Sequence, residues 1–237
     1  MKWKKLIFRS LGYRLQNISS WFKSLDIEGD FGKIMIRKGS SDIRVFKQIF
    51  LDEVYHFFPS DFNPSVIIDA GANVGYSAVW FASKFPDSKI YAIEPEASNF
   101  EILQENVKRR SNIFPIKAGL WYENTFLKIH DSKAGSWAFE TKVPQDGEKS
   151  DIATITIPQL IRENDLVQID LLKIDIEGSE FELFKNQAEE WLPFVKLIMI
   201  ETHDRIKPGC SELIDQVVNP FGFLKITTKE LSIYYRI

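Results

Sequence analysis

Cysteine occurs once in the 237 residues, at Cys210. One thiol excludes an internal disulfide, a cysteine-based zinc site and a CxxC redox pair. It fits a reducing, cytoplasmic setting. Long apolar runs are also missing. The longest, Val66–Ile68 and Leu197–Ile200, fall far short of the ~20 residues of a membrane-spanning helix. The basic N-terminus lacks the apolar stretch and small-residue cleavage site of a secretory signal. Glycine (12) and proline (10) are not in excess, which excludes collagen-like and low-complexity classes. Positive charge is not in excess either. A net charge of −3 excludes the whole chain as a nucleic-acid binder by charge. What remains is a chain with 44% apolar residues, long enough to bury about 70–75% of its unfolded surface in a core of its own.

The charge is unevenly placed. Residues 1–25 carry Lys2, Lys4, Lys5, Arg9, Arg14 and Lys23 and no acid, while the remainder holds 24 basic against 33 acidic residues. Leu6, Ile7, Leu11, Leu15, Ile18, Trp21 and Phe22 recur at helical spacing, which predicts a cationic amphipathic helix. Such a helix either touches an anionic surface, as in peripheral contact with the inner face of a membrane, or packs on its own domain. The second is favoured, because most amphipathic helices face a core.

Beyond this segment strands and helices alternate. Residues 27–37 read as a hairpin, with Gly29 and Gly32 near the turn, and 45–58 as a helix broken by Pro59. Strands are expected at 65–69, 89–94, 113–120, 171–176 and 196–201. Helices are expected from Gly75 to Phe85, after a capping box of Ser98 and Glu101, after Gly178 with Ser179 and Glu182, and over 212–218. Residues 121–157 interrupt the alternation with short strands (FLKIH, SWAFET, ATITI) and read as a β insertion. FLKITTK and LSIYYRI close the chain as an antiparallel hairpin at the sheet edge. The fold class is α/β: a doubly wound, mostly parallel sheet, with an extension over 1–58 and a main domain over 59–237. The extension is read as a lid or a packing element.

Ligands in such sheets sit beyond the carboxyl ends of the strands. After the first strand comes Asp69-Ala70-Gly71-Ala72-Asn73-Val74-Gly75. Its two glycines permit a tight turn, but it is neither GxGxxG nor a Walker loop. Asp69 disfavours a diphosphate, and a ligand with a cationic amine fits better. The second strand ends in Glu94, followed by Pro95. A carboxylate there can take both hydroxyls of a ribose. The fourth strand ends in Lys173-Ile174-Asp175-Ile176-Glu177, and alternation puts the three charges on one side. The fifth ends in Glu201-Thr202-His203. If these strands are neighbours, Asp175, Glu177, Glu201 and His203 meet at one mouth. The alternative is a polar rim with a structural Lys–Asp pair. His56 and His130 have no such setting and are read as surface or packing residues.

Asp69-x-Gly71-x-x-x-Gly75 with Glu94 downstream, together with LLKIDIEGSE (171–180), EPEASNF (94–100) and the ETH of the fifth strand, resembles the FkbM family of class I S-adenosylmethionine-dependent methyltransferases. The resemblance covers roughly residues 40–205. It implies a Rossmann-like, seven-stranded sheet with the last strand antiparallel, and methyl transfer, typically to a hydroxyl of a sugar, glycan or secondary metabolite. It implies that Gly71, Ala72, Asn73 and Gly75 line the methionine part of S-adenosylmethionine, and that Asp69 lies near its ammonium, through water. Glu94, beside Pro95, would hold the ribose, and Gly119 and Leu120 would approach the adenine. For the chemistry, His203 is expected to take the acceptor proton, with Asp175 or Glu177 orienting it or the acceptor. In a variant, Asp175, Glu177 and His203 hold a divalent metal ion. Residues 1–40 and 121–157 lie outside the matched motifs and are expected to shape acceptor choice.

Three other readings compete. A non-catalytic donor-binding scaffold or regulatory protein of a glycan-assembly pathway would use the cationic N-terminus as its working surface. A nicotinamide enzyme is disfavoured by the absent GxGxxG. A nucleic-acid methyltransferase is disfavoured by the absence of an Asn-Pro-Pro-Tyr-type motif and of a basic groove. The sequence leaves the acceptor and the oligomeric state open.

Overall fold

The computed structural model describes residues 14–16, 24–59, 61–127, 152–228 and 231–236. Its centre is a seven-stranded sheet in the order β12-β13-β11-β10-β4-β5-β6. These strands are β4 (Val66–Ala70), β5 (Lys89–Ile93), β6 (Ile113–Ile116), β10 (Ile169–Ile174), β11 (Val195–Ile200), β12 (Leu224–Thr227) and β13 (Ser232–Tyr235). β6, β5, β4, β10 and β11 run parallel, and β13 is antiparallel to both of its neighbours. The last strand therefore slots between β11 and the edge strand β12.

Side-chain alternation builds two cores. Ile67, Ile90, Leu171 and Leu197 point to one face, and Ile68, Ile93, Leu172 and Ile198 to the other. The first face is covered by α2 (Tyr76–Lys84), α3 (Ala97–Val107), α1 (Asp42–Phe50) and the hairpin β2 (Ser24–Gly29) and β3 (Gly32–Arg37). The second is covered by α4 (Ile157–Glu163), α5 (Glu180–Lys185) and α6 (Cys210–Val218). Phe31, Phe46 and Phe50 of the N-terminal extension stack at 4.3–6.0 Å and meet Tyr76 of α2. The buried Asn106 side chain accepts from Met35 N–H (2.7 Å) and donates to the Val74 carbonyl (2.8 Å). Extension and sheet thus share one core.

Several expectations are corrected. Residues 14–16 form β1 (Arg14–Gln16), paired antiparallel with β2, so the helix expected over 1–25 fails at 14–16 and 24–25; its other residues lie outside those described. α1 stops at Phe50, eight residues early, because the following turn sends Glu53 into left-handed backbone. The strand expected over 113–120 breaks after Ile116. Gly119–Leu120 become β7 of a small sheet with β8 (Phe126–Leu127) and β9 (Ile152–Ile155). SWAFET lies outside the described residues. The cap of α3 is Glu96, which accepts from the N–H groups of Ser98 and Asn99, and not a Ser98–Glu101 box. Ser179 caps α5 without a side-chain hydrogen bond. α4 was not foreseen; Thr156 caps it by accepting from Gln159 N–H, and Pro158 sits in its first turn. No helix among the described residues is long and apolar enough to cross a membrane.

One polar contact lies inside this apolar frame. Lys173 of β10 and Asp69 of β4 are register partners, 2% and 0% exposed, with Nζ 3.1 Å from Oδ1. Nζ also donates to the carbonyls of Ala70 (3.2 Å) and Gly71 (2.7 Å), and Ser77 Oγ donates to Asp69 (2.5 Å). Burial alone would lower the Lys173 pKa, but Asp69, Tyr55 and Asp175 outweigh it and hold the ammonium charged. Lys173→Ala leaves a buried carboxylate without its counter-charge and is expected to cost about 3–5 kcal/mol. The double change Lys173→Met with Asp69→Leu is expected to recover most of that loss. Urea unfolding midpoints of both variants check this.

Candidate active site

Two cavities open beyond the carboxyl ends of β4, β5 and β10. The first is lined by Gly71 and Asn73 of the β4–α2 loop, Glu94 and Pro95 after β5, Gly119 and Leu120 of β7, and Ile176 and Glu177 after β10. The second, about 1020 Å³, runs from Arg37 and Arg44 near α1 to Lys173, Glu201 and Arg205. Gly71, Asn73, Glu96, Asn99, Asp175 and Glu177 line both, so the two spaces meet along one wall.

That wall needs a glycine. Gly71 has φ +75°, and a Cβ there would lie 1.8 Å from the Asp175 carbonyl oxygen. The β4 loop and the end of β10 touch backbone to backbone, and Gly71 and Ala72 N–H groups both donate to the Ile93 carbonyl. Glu94 closes the other side and is 5% exposed. Its carboxylate accepts from Asn73 N–H (2.9 Å), Glu96 N–H (3.0 Å) and the Asn99 amide (3.3 Å). Burial still pushes its pKa up to about 7 against those hydrogen bonds. Arg37 ties the neighbouring segment down, with an ion pair to Asp42 (2.8 Å) and a hydrogen bond to Asn99 (2.8 Å).

The second constellation surrounds His203. Its ring is 2% exposed and lines neither cavity. Nδ1 lies 3.0 Å from the fully buried Glu180, whose carboxylate also accepts from Ile176 N–H (2.9 Å) and Gly178 N–H (2.8 Å). Nε2 lies 3.4 Å from Glu177, 3.9 Å from Asp175 and 4.0 Å from Glu201. Burial opposes the charged ring, but Glu180, Asp175 and Glu177 push its pKa up to about 9. Burial and mutual repulsion raise the pKa values of Asp175 and Glu177, and push that of Glu201 up to about 7. Glu177 sits in left-handed backbone at φ 52°, next to Gly178 at φ +100°. A non-glycine residue there signals a held conformation.

Most residues expected from sequence converge. Gly71, Asn73, Glu94, Pro95, Gly119 and Leu120 line the first cavity, and Asp175 and Glu177 the shared wall. Ala72 faces the larger cleft. Asp69 and Gly75 line neither. The Asp69 carboxylate is taken by Lys173 and Ser77 behind the loop, and Gly75 packs against Leu103 and Val107 of α3. Asp69 is therefore a brace of the loop, reached from behind by Lys173 and Ser77. Expected as the proton acceptor, His203 lines neither cavity, whereas Asp175 and Glu177 line both. Glu180 and Glu96 were missed. The signal for Glu180 was there, in an acid that directly follows Gly-Ser and opens a helix.

The profile of the methyltransferase FkbM domain matches residues 69–223. The chain belongs to the FkbM methyltransferase family. Methyltransferase sdnD of Sordaria araneosa is 28% identical over 206 residues, covering 72% of this chain and 79% of that one. The 31-O-demethyl-FK506 methyltransferase FkbM of Streptomyces tacrolimicus is 23% identical over 192 residues, covering 68% and 74%. The crystal structure of methyltransferase FkbM from Methylobacillus flagellatus KT superposes with a TM-score of 0.50 at 18% identity. It covers 76% of this chain and 46% of that one, and supports the class I methyltransferase fold. The FkbM segment holds the Gly71 loop, Glu94 and the His203 cluster; Arg37 and Arg44 precede it.

The Gly71 contact separates two costs. Gly39 also has positive φ, but a Cβ there meets nothing within 4 Å. Gly39→Ala is expected to cost about 1–2 kcal/mol, from backbone strain alone. Gly71→Ala adds a clash with backbone and is expected to cost clearly more. Denaturant unfolding of the two variants side by side checks this.

Proposed function

We propose that this FkbM-family methyltransferase binds S-adenosylmethionine in the first cavity and methylates a hydroxyl of a sugar, glycan or secondary metabolite held in the second. The observation that carries this reading is the shared wall. A nearly buried carboxylate, Glu94, faces one space, and Asp175 and Glu177 face both. The residues fit the donor. Glu94 has oxygens for two ribose hydroxyls, Leu120 and Leu127 give apolar surface for a flat base, and Gly71 brings bare backbone to the cavity edge. The donor, when bound, supplies a methyl carbon on a sulfonium whose sulfur leaves with the C–S electron pair.

The chain's task is alignment and proton management. The acceptor oxygen uses a lone pair to form the new C–O bond, and its proton passes to a carboxylate of the wall. His203, held by Glu180, is a positioning residue for Asp175 and Glu177. The chemistry of the larger cleft, with Arg44, Arg205, Glu177 and Glu201 along its length, suits a polar, many-hydroxyl acceptor. Among the relatives, the Streptomyces enzyme is named for a substrate that lacks a methyl group on an oxygen.

Titration calorimetry with S-adenosylhomocysteine, with NAD as control, tests the donor site. Saturable binding of the first alone is expected, and binding of neither defeats the reading. Transfer of labelled methyl from S-adenosylmethionine to a pool of hydroxylated acceptors tests the reaction. Because Glu94 ionises near pH 7 in the free chain, its carboxylate is complete above that pH and protonated below it. Affinity for S-adenosylhomocysteine is therefore expected to rise from pH 5.5 to 7.5 and then level off. Glu94→Gln is expected to bind roughly 10–100-fold more weakly, from the loss of charge-assisted hydrogen bonds, and to show no such rise.

A further inference from the structure

His203 is nearly buried, yet its Nε2 has no carboxylate at good hydrogen-bond distance. The separations of 3.4, 3.9 and 4.0 Å to Glu177, Asp175 and Glu201 exceed the roughly 2.7–3.2 Å of an N–H···O bond. They suit a different arrangement. One ligand atom each of Asp175, Glu177 and His203 lies within 4.8 Å of the other two. Two ligands at right angles on an ion with bonds of about 2.1 Å stand ~3.0 Å apart. The Asp175 and Glu177 side chains are 31% and 39% exposed, so rotation of either can close the remaining gap.

The surroundings are those of a metal ligand. A histidine that binds a metal through one nitrogen commonly donates its other N–H to a carboxylate, which fixes the ring. Glu180 occupies that position at Nδ1, and the same carboxylate pins the backbone of Ile176 and Gly178 on either side of Glu177. One buried group thereby orients the ring and the loop that presents the second ligand. Lys173 approaches Asp175 at Oδ2 (4.0 Å), while Oδ1 is the oxygen nearest His203. Asp175 and Glu177 lie on the wall shared by both cavities, so the ion's remaining positions would open to the cleft.

We infer that Asp175, Glu177 and His203 bind one divalent cation of the magnesium or manganese type beside the acceptor space, the ion displacing the Nε2 proton to solvent. Two carboxylates with one imidazole and no thiolate suit a hard ion. This rests on the methyltransferase reading for its purpose, since the ion's open positions would take the acceptor oxygen and favour loss of its proton. The ion and its binding do not depend on that reading.

The test uses the full chain and Mn²⁺ alone, followed by the loss of the free-ion paramagnetic resonance signal and by calorimetry, with and without S-adenosylhomocysteine. One Mn²⁺ per chain is expected. Glu177→Gln and His203→Gln are each expected to weaken it at least tenfold, and Glu180→Gln about 10–100-fold, with circular dichroism confirming that each variant is folded. Glu94→Gln is expected to keep Mn²⁺ while losing S-adenosylhomocysteine. Wild-type Mn²⁺ uptake without donor binding would count against the proposed function and leave the metal site standing. No uptake by the wild type under either condition overturns the metal site, as does equal uptake by the wild type and both folded ligand variants.

Discussion

A lysine ammonium held at the centre of a parallel sheet sets the terms for everything above it. Lys173 enters from β10, and Asp69, its register partner on β4, supplies the opposite charge. Because the ammonium also donates to the carbonyls of Ala70 and Gly71, the β4 loop cannot lift away from β10. Hydrophobic residues of similar volume would pack at least as well there. They could not reach two carbonyls and fix the loop. Gly71 then lies against the Asp175 backbone, on the wall that the two cavities share.

A second fixed point lies on the far side of that wall. Glu180 holds the His203 ring and the backbone around Glu177 with one carboxylate. Four acidic side chains around one imidazole repel each other when it is neutral and are balanced in part when it is charged. The left-handed backbone at Glu177 persists because hydrogen bonds on both sides hold it.

Much of this was legible in the residues. The uninterrupted apolar run of β10 announced a strand buried on both faces, and the order of strands and helices announced the sheet. Glu94 and the Asp175–Glu177–His203 group followed from the rule about strand ends. What failed were matters of partner and direction. The pairing of Asp69 with Lys173 could not be read from either segment alone, because register across a hundred residues is not written locally. His203 reads as a base at the mouth of the site, and only the fold shows its ring buried, with Asp175 and Glu177 lining the cavities in its place. The Ser98–Glu101 pattern has the spacing of a cap, but Glu96 reaches the same N–H groups from a better position. The 1–25 pattern has helical spacing, yet pairing with β2 wins at Arg14–Gln16. α4 escaped notice because it is short and carries a proline in its first turn.

The larger cleft has two walls, and the FkbM domain profile spans one of them. One is built by the segment that the FkbM family shares, from residue 69 onward. The other, with Arg37, Arg44 and Gln48, is built by residues that precede it. Kinship detected through the shared segment is blind to that second wall. Two chains can match that profile equally well and still offer different surfaces to whatever enters the cleft, so the profile foretells the first cavity far better than the second.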